Sequence, residues 1–196
     1  VIRAIYPLFI LAILQITTSI FASSSIIFLD VDGVLHPASK PGGDAKPGQV
    51  LFDQEALQGL KRICESCTPV AKIVLTSNWR KLETSKSQVD HMLRQAGIDS
   101  GVYAATDMLK NRQTEICHYL RNYQPSHFVI LDDMDLTQVP HHDKRLWGKG
   151  AYQDIEQHVV RTDYRCGLSE KDVQQAITVL SDKAWEGESF DDSEGE

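Results

Sequence analysis

The amino-acid sequence predicts an α/β fold in which a mainly parallel β-sheet is covered by helices on both faces. Two observations support this prediction. Short apolar segments alternate along the chain with segments of helical character, which implies βαβ units with right-handed crossovers. About 155 residues remain when residues 1–25 and 184–196 are set aside, and this is a common size for one domain with a full core. The sequence therefore predicts one folded domain, residues 26–183, and it shows no internal repeat.

The individual elements follow from local patterns. The first strand is the apolar run Ile26–Leu29, and the later runs Ile73–Leu75 and Phe128–Leu131 have the same character. Asp53 is expected to cap the first helix, and Ser169 followed by Asp172 resembles a capping box before the last helix. The predicted strands lie near residues 26–30, 70–76, 101–104, 127–131 and 157–161, and the predicted helices lie near residues 53–65, 82–96, 112–123 and 169–182.

Two carboxylates follow the first predicted strand. Asp30 and Asp32 are two positions apart, just before Gly33, and residues so spaced on an extended segment point to one side. The carboxyl end of a buried strand is where an open α/β sheet exposes its chemistry. An aspartate there can accept a phosphoryl group, while a neighbouring carboxyl group protonates the leaving oxygen. Asp30 is therefore the predicted nucleophile and Asp32 the predicted general acid/base.

A second acidic pair, Asp132 and Asp133, follows the apolar run that ends at Leu131. If this pair met Asp30 and Asp32 at the same sheet edge, the four carboxylates would repel one another and a phosphate. A cation is then required, and oxygen ligands that also contact phosphate favour Mg2+. The predicted ligands are the Asp30 carboxylate, the main-chain carbonyl of Asp32 and one or both carboxylates of the second pair.

Three segments resemble motifs of the haloacid dehalogenase (HAD) superfamily of phosphotransferases, in the same order. Residues 30–34, D-V-D-G-V, resemble motif I; residues 73–80, I-V-L-T-S-N-W-R, resemble motif II; residues 128–133, F-V-I-L-D-D, resemble motif IV. Within the superfamily, S-N-W-R, R-x-x-E-I-x-x-Y-L, L-D-D and a late V-V-x-T-D…G-L-S together resemble the HAD domains of Swiss Army Knife RNA repair proteins. The resemblance covers roughly residues 26–181 and implies a three-layer Rossmann-like HAD fold.

The resemblance also implies contacts to a phosphate. Ser77 best fits the motif II hydroxyl and Thr76 is the alternative, while Arg112 is chosen for motif III with Lys110 in reserve. Arg80 either binds substrate or pairs on the surface. The remaining nearby residues have plainer interpretations: Asn78 is a helix cap or a catalytic residue, Trp79 a packing residue, Glu115 a helix residue and His36 a turn residue.

No cap domain fits between the motifs. About 40 residues separate Gly33 from Ser77, and a Pro/Gly-rich loop, one helix and one strand consume them. The interval from Arg80 to Arg112 is filled in the same way. A capless site gives little binding energy to a small substrate, so a phosphorylated macromolecule held by the rim, including Arg80 and the loop 144–149, is the expected substrate.

Residues 1–25 differ from the domain. Arg3 precedes an uncharged stretch from Ala4 to Phe21, and small side chains from Ala22 to Ser25 come before the first strand. This is the plan of a secretory signal peptide with cleavage near Ala22 or Ser24, and an uncleaved membrane anchor is the alternative. The prediction is a secreted or periplasmic protein, a membrane-anchored one, or a cytoplasmic one if the N-terminal sequence is misread. Residues 184–196 are predicted to form an acidic disordered tail.

Charge and cysteines constrain the partners only weakly. The net charge of -7 gives no general attraction to nucleic acid, so a nucleic-acid end-processing phosphatase is an alternative that the charge does not favour. A catalytically silent binding module is the other alternative, because a protein can keep the fold of an enzyme family without its catalytic activity. No segment indicates an obligate protein partner. The spacing Cys64-x-x-Cys67 predicts a disulfide between these two residues rather than a zinc site.

Overall fold

The computed structural model of the chain describes residues 24–38, 52–137, 155–182 and 185. Every predicted strand and helix is present within a few residues of its expected bounds. The elements are β1 Ser25–Leu29, α1 Gln54–Glu65, β2 Lys72–Leu75, a 3₁₀ helix Asn78–Lys81, α2 Glu83–Gln95, β3 Val102–Ala105, α3 Arg112–Tyr123, β4 His127–Asp132, β5 Val159–Arg161 and α4 Glu170–Ser181.

The five strands form one sheet in the order β3-β2-β1-β4-β5, and all neighbouring strands are parallel. β1 is central: Leu29 pairs with Leu75 of β2 and with Leu131 of β4. The carboxyl ends of these three strands therefore meet at one edge. The predicted fold class, α/β with a parallel Rossmann-like sheet, is confirmed.

The sheet is buried on both faces, which makes three layers. Ile27 and Leu29 of β1 belong to a core formed with apolar residues of α1, α2 and α4. Ile26 and Phe28 belong to a second core with α3, where Phe28 meets the ring of Tyr119 edge-on at 5.4 Å. Successive residues of a strand point to opposite faces, so a strand covered on both sides is apolar throughout, as β1 is.

Local capping explains two helix starts. The Asp53 carboxylate accepts hydrogen bonds from the main-chain N–H groups of Glu55 and Ala56 before α1. Ser169 and Asp172 form the predicted capping box before α4. Both predicted caps are confirmed. The sequence predicts them well because a cap depends only on neighbouring residues.

Residues on both sides of the predicted domain boundaries contact the fold. Ser25 lies in β1, and the Ser24 carbonyl accepts a hydrogen bond from Ser126 N at 3.1 Å. At the other end, Trp185 packs edge-on against Phe128 at 5.6 Å, beyond the predicted boundary at residue 183. Residues 1–23 and 186–196, on which the leader and most of the tail predictions fall, lie outside the described residues.

One helix, α1, connects β1 with β2, and the 3₁₀ helix with α2 connects β2 with β3. The described residues of these connections contain no inserted domain, and residues 39–51 lie outside them, as does the rim loop 144–149.

Among the described helices, none has the length and hydropathy needed to span a bilayer. All four cysteines are free thiols, so the predicted disulfide between Cys64 and Cys67 is wrong.

Candidate active site

Three carboxylates converge at the carboxyl ends of β1 and β4. Asp30 follows β1, Asp132 is the last residue of β4, and Asp133 comes next. The Asp30 main-chain N–H donates to Leu131 O at 3.0 Å, which holds the two strand ends together. One carboxylate oxygen from each of the three residues lies within 4.8 Å of the other two. We call this group the acidic cluster. Parallel register explains it, because neighbouring strand ends share one edge of the sheet.

Arg112 inserts a positive charge into the acidic cluster. It is the first residue of α3, and its Nη1 lies 3.0 Å from Asp30 Oδ2 and 2.5 Å from Asp132 Oδ2. The helix begins there because the Asn111 side chain accepts a hydrogen bond from Thr114 N at 2.8 Å. Lys110, the reserve residue for the same role, is exposed two positions before Arg112.

Burial governs the electrostatics of the cluster. Desolvation raises the pKa of Asp132 to about 6, with Arg112 acting against the shift and Asp30 adding to it. Desolvation also raises the pKa of Asp133, and the Asp30 carboxylate adds to that shift. Burial alone would lower the pKa of Arg112, but Asp132 and Asp30 outweigh it and raise that pKa. The site thus concentrates more negative charge than one guanidinium offsets.

Gly33 lies directly against the acidic cluster. Its φ is +74°, a left-handed conformation that suits glycine, and a Cβ built there would lie 2.7 Å from Asp133 Cγ. Its carbonyl accepts a hydrogen bond from the buried Thr162 hydroxyl at 2.8 Å. The turn after Asp32 can therefore approach Asp133 closely only because position 33 carries no side chain.

Asp32 occupies a different environment from the cluster. Its side chain is 53% exposed, and Oδ1 lies 3.3 Å from His36 Nδ1. Oδ2 accepts a hydrogen bond from Trp79 Nε1 at 3.0 Å. Trp79 does pack, as predicted, against Phe52 at 5.5 Å, but its indole N–H contact and the contact of His36 were missed. The available signal was the S-N-W-R segment, which places an indole two residues after the motif II hydroxyl.

The two candidate hydroxyls differ in their surroundings. Thr76 lies beside Asp30, because its N–H donates to Leu29 O at 2.9 Å; its hydroxyl is buried with no hydrogen-bond partner in the described part of the chain. Ser77 is also buried, but it caps the 3₁₀ helix by accepting a hydrogen bond from Trp79 N at 3.5 Å. Asn78 is exposed and is the first residue of that helix rather than its cap.

Arg80 makes its ion pair in the interior, so the predicted pair on the surface is wrong. Its Nη2 lies 2.5 Å from Glu115 Oε2, and the two side chains are 4% and 6% exposed. Its remaining guanidinium groups donate to main-chain carbonyls of Thr76, Ser77 and Thr106. Arg80 thus joins the ends of β2 and β3 to the first turn of α3, and Glu115 is its buried partner rather than a plain helix residue.

A groove of about 540 Å³ lies away from the acidic cluster. It runs between α1 and α4, and Arg62 and Glu170 form an ion pair at 2.5 Å within it. None of the residues that line it belongs to the cluster, so the carboxylates at the sheet edge do not form part of this groove. Its lining residues are Asp53, Glu55, Gln58, Arg62, Cys166, Leu168, Ser169, Glu170 and Val173.

Comparison with known protein families covers the residues of this site. Residues 26–173 match the family model described as the HAD domain in Swiss Army Knife RNA repair proteins. The match includes β1 except for its first residue, all of β4 and all residues of the acidic cluster. No curated protein and no solved structure matches the chain.

Proposed function

The chain belongs to the family of HAD domains found in Swiss Army Knife RNA repair proteins, and we propose that it hydrolyses phosphomonoesters with Mg2+ through a phosphorylated Asp30. The family points to a phosphatase-type hydrolase or a role in RNA repair. One observation supports the finer proposal most directly. Asp30, Asp132 and Asp133 bring oxygen atoms within 4.8 Å of one another, with Arg112 between two of them.

The donor set of the cluster fits Mg2+. All three side chains offer carboxylate oxygens, the ligand type that this ion prefers, and HAD proteins generally use it. Asp30, Asp132 and Asp133 would hold the ion together with the main-chain carbonyl of Asp32. When bound, Mg2+ offsets the negative charge of the carboxylates and of the phosphate.

The residues of the site can carry both halves of a hydrolysis. An Asp30 oxygen forms a bond to phosphorus while the bond from phosphorus to the leaving oxygen breaks, and Asp32 gives that oxygen a proton. Asp32 then takes a proton from water as the water oxygen attacks phosphorus, which releases phosphate and restores Asp30. Arg112 remains beside the reacting carboxylate and opposes the charge that gathers there.

Substitution of the nucleophile tests the mechanism. Asp30→Asn removes the attacking oxygen with almost no change of volume, so turnover of p-nitrophenyl phosphate with Mg2+ should vanish while the circular dichroism spectrum is unchanged. Asp99→Asn is the matched control, because Asp99 is exposed in the turn before β3 and should leave turnover intact. Retention of more than a few per cent of wild-type activity by Asp30→Asn would exclude the covalent route.

A nucleic-acid end-processing phosphatase is the second candidate, and the family description favours it. The net charge of -7 does not. A capless site should act on phosphorylated oligonucleotides or phosphoproteins with a kcat/KM at least about tenfold above that for small phosphate esters, a difference of roughly 1.4 kcal/mol in transition-state binding. A sugar phosphate or mononucleotide as the best substrate in a panel would exclude a macromolecular substrate. Complete inactivity with every substrate would leave the silent binding module.

A further inference from the structure

We propose that Trp79 is a positioning residue for Asp32 and determines which oxygen of that carboxyl group carries the proton given to the leaving group. This inference rests on the proposed phosphatase function and adds a residue to it. The sequence motif predicted only a packing role for Trp79. The structure gives its indole N–H a specific acceptor, Asp32 Oδ2, at 3.0 Å.

The chemistry of an indole makes the contact directional. An indole N–H can donate a hydrogen bond and cannot accept one, so Asp32 Oδ2 must serve as the acceptor. The carbonyl oxygen of a carboxyl group accepts a hydrogen bond better than its hydroxyl oxygen does, so this contact favours the transferable proton on Oδ1, the oxygen on the side of His36. Because the Asp32 side chain is 53% exposed, packing does little to restrain its rotation. The Trp79 contact supplies an orientation that burial does not.

Trp79 is itself well supported. It lies in the 3₁₀ helix Asn78–Lys81, whose cap is the buried Ser77. Its ring packs against Phe52, which is 3% exposed, with ring centroids 5.5 Å apart. The donor is therefore fixed to the end of β2, next to the strand that carries Asp30. A fixed donor can hold an exposed carboxyl group at the angle that proton transfer requires.

Correct orientation of Asp32 matters most when the leaving oxygen needs a proton. As the Asp30 oxygen bonds to phosphorus, the departing oxygen takes the electron pair of the broken bond. An alkoxide is a poor leaving group and needs the proton from Asp32 Oδ1, whereas nitrophenolate departs without it. The ratio of kcat/KM for an alkyl and an activated aryl phosphate thus reports on proton donation, since kcat/KM covers the steps through leaving-group departure.

The test compares benzyl phosphate with p-nitrophenyl phosphate, using the full chain with Mg2+. Trp79→Phe keeps an aromatic ring beside Phe52 but removes the donor, and we expect it to lower kcat/KM for benzyl phosphate about tenfold more than for p-nitrophenyl phosphate. In an Asp32→Asn background the same change should alter that ratio by less than about twofold. Phe52→Leu is the control, because it weakens ring packing and keeps the N–H; it should affect both substrates equally.

Equal losses on the two substrates, or an undiminished effect in the Asp32→Asn background, would overturn the inference and assign Trp79 a packing role alone. If Trp79→Phe does not fold, 3-benzothienylalanine at position 79 replaces the N–H by sulfur in a ring of the same shape and makes the same comparison. Wild-type protein inactive on both substrates would instead refute the proposed phosphatase function. The two failures are thus distinct, because only the first leaves wild-type turnover intact.

Discussion

Gly33→Ala should damage the proposed Mg2+ site without removing any of its proposed ligands. Gly33 has a φ of +74°, and a Cβ there would lie 2.7 Å from Cγ and 2.8 Å from Cβ of Asp133. Carbon atoms normally pack at about 3.5–4.0 Å, so the Asp133 side chain must move by roughly 1 Å. Mg2+ demands a near-ideal arrangement of ligands at about 2.0–2.1 Å, and a displacement of this size removes Asp133 as an effective ligand.

The same substitution also has a cost in stability. A left-handed conformation costs an L-residue roughly 1–2 kcal/mol, and crowding of Asp133 adds to this, so the free energy of unfolding should fall by about 1–3 kcal/mol. Gly97→Ala separates the two effects. Gly97 has a φ of +82°, but its Cβ would meet only the flexible end of Lys61, with Nζ at 3.0 Å. It carries the backbone strain and leaves the acidic cluster untouched.

Urea denaturation and a Mg2+ titration of phosphatase turnover measure the two effects. Both variants should lose stability, and only Gly33→Ala should raise the Mg2+ concentration for half-maximal activity, by at least about tenfold, equivalent to roughly 1.4 kcal/mol of binding free energy. A Gly33→Ala variant with the wild-type Mg2+ requirement would show that Asp133 does not hold the ion, or that the turn yields without moving it.

Three further predictions address the buried pair, the thiols and the N-terminus. Glu115→Ala should lower the free energy of unfolding, measured in urea, by about 3–5 kcal/mol, because it leaves the buried Arg80 charge without its partner. Glu170→Ala breaks an exposed ion pair and should lower the free energy of unfolding much less. Equal decreases in the two variants would contradict the argument. Burial raises the pKa of Cys64 to about 12, so its reactive thiolate is scarce at pH 8. Iodoacetamide at pH 8 should therefore label the exposed Cys166, whereas Cys64 should react only after unfolding. Peptide mass spectrometry measures the labelling of each residue. The mature N-terminus of protein made in its own host should be Ser23 or Ser24, since Ser24 and Ser25 belong to the fold. An intact leader would contradict this prediction and favour an anchor or a misread start.

Features that depend on residues close together in the sequence could be predicted from it, and contacts between distant residues could not. Caps such as Asp53 before α1 involve neighbours only, and apolar runs such as β1 signal burial on both faces without knowledge of their partners. The acidic cluster was also predictable, because the carboxyl ends of parallel strands share one edge. That rule alone predicts that Asp30 and Asp132 lie close together. Contacts that depend on register and crossover geometry were not predictable: Trp79 meets Asp32 across 47 positions, and Thr162 meets Gly33 across 129.

Arg80 was expected to bind substrate or to pair on the surface, and the structure instead shows it in a buried ion pair with Glu115. This pair bears on the charge balance of the site. An arginine just after a predicted phosphate-binding hydroxyl is equally compatible with a ligand contact and an internal ion pair, and only the position of α3 decides between them. The first turn of that helix carries Arg112 to the acidic cluster and Glu115 to Arg80. Glu115 makes a buried ion pair with Arg80, whereas Arg112 makes ion pairs with two carboxylates of the cluster. The three cluster carboxylates and Arg112 together carry two net negative charges when all are ionised. A divalent cation would balance that excess, as the proposed Mg2+ site requires, whereas a second arginine at the cluster would have removed much of the electrostatic reason to bind one.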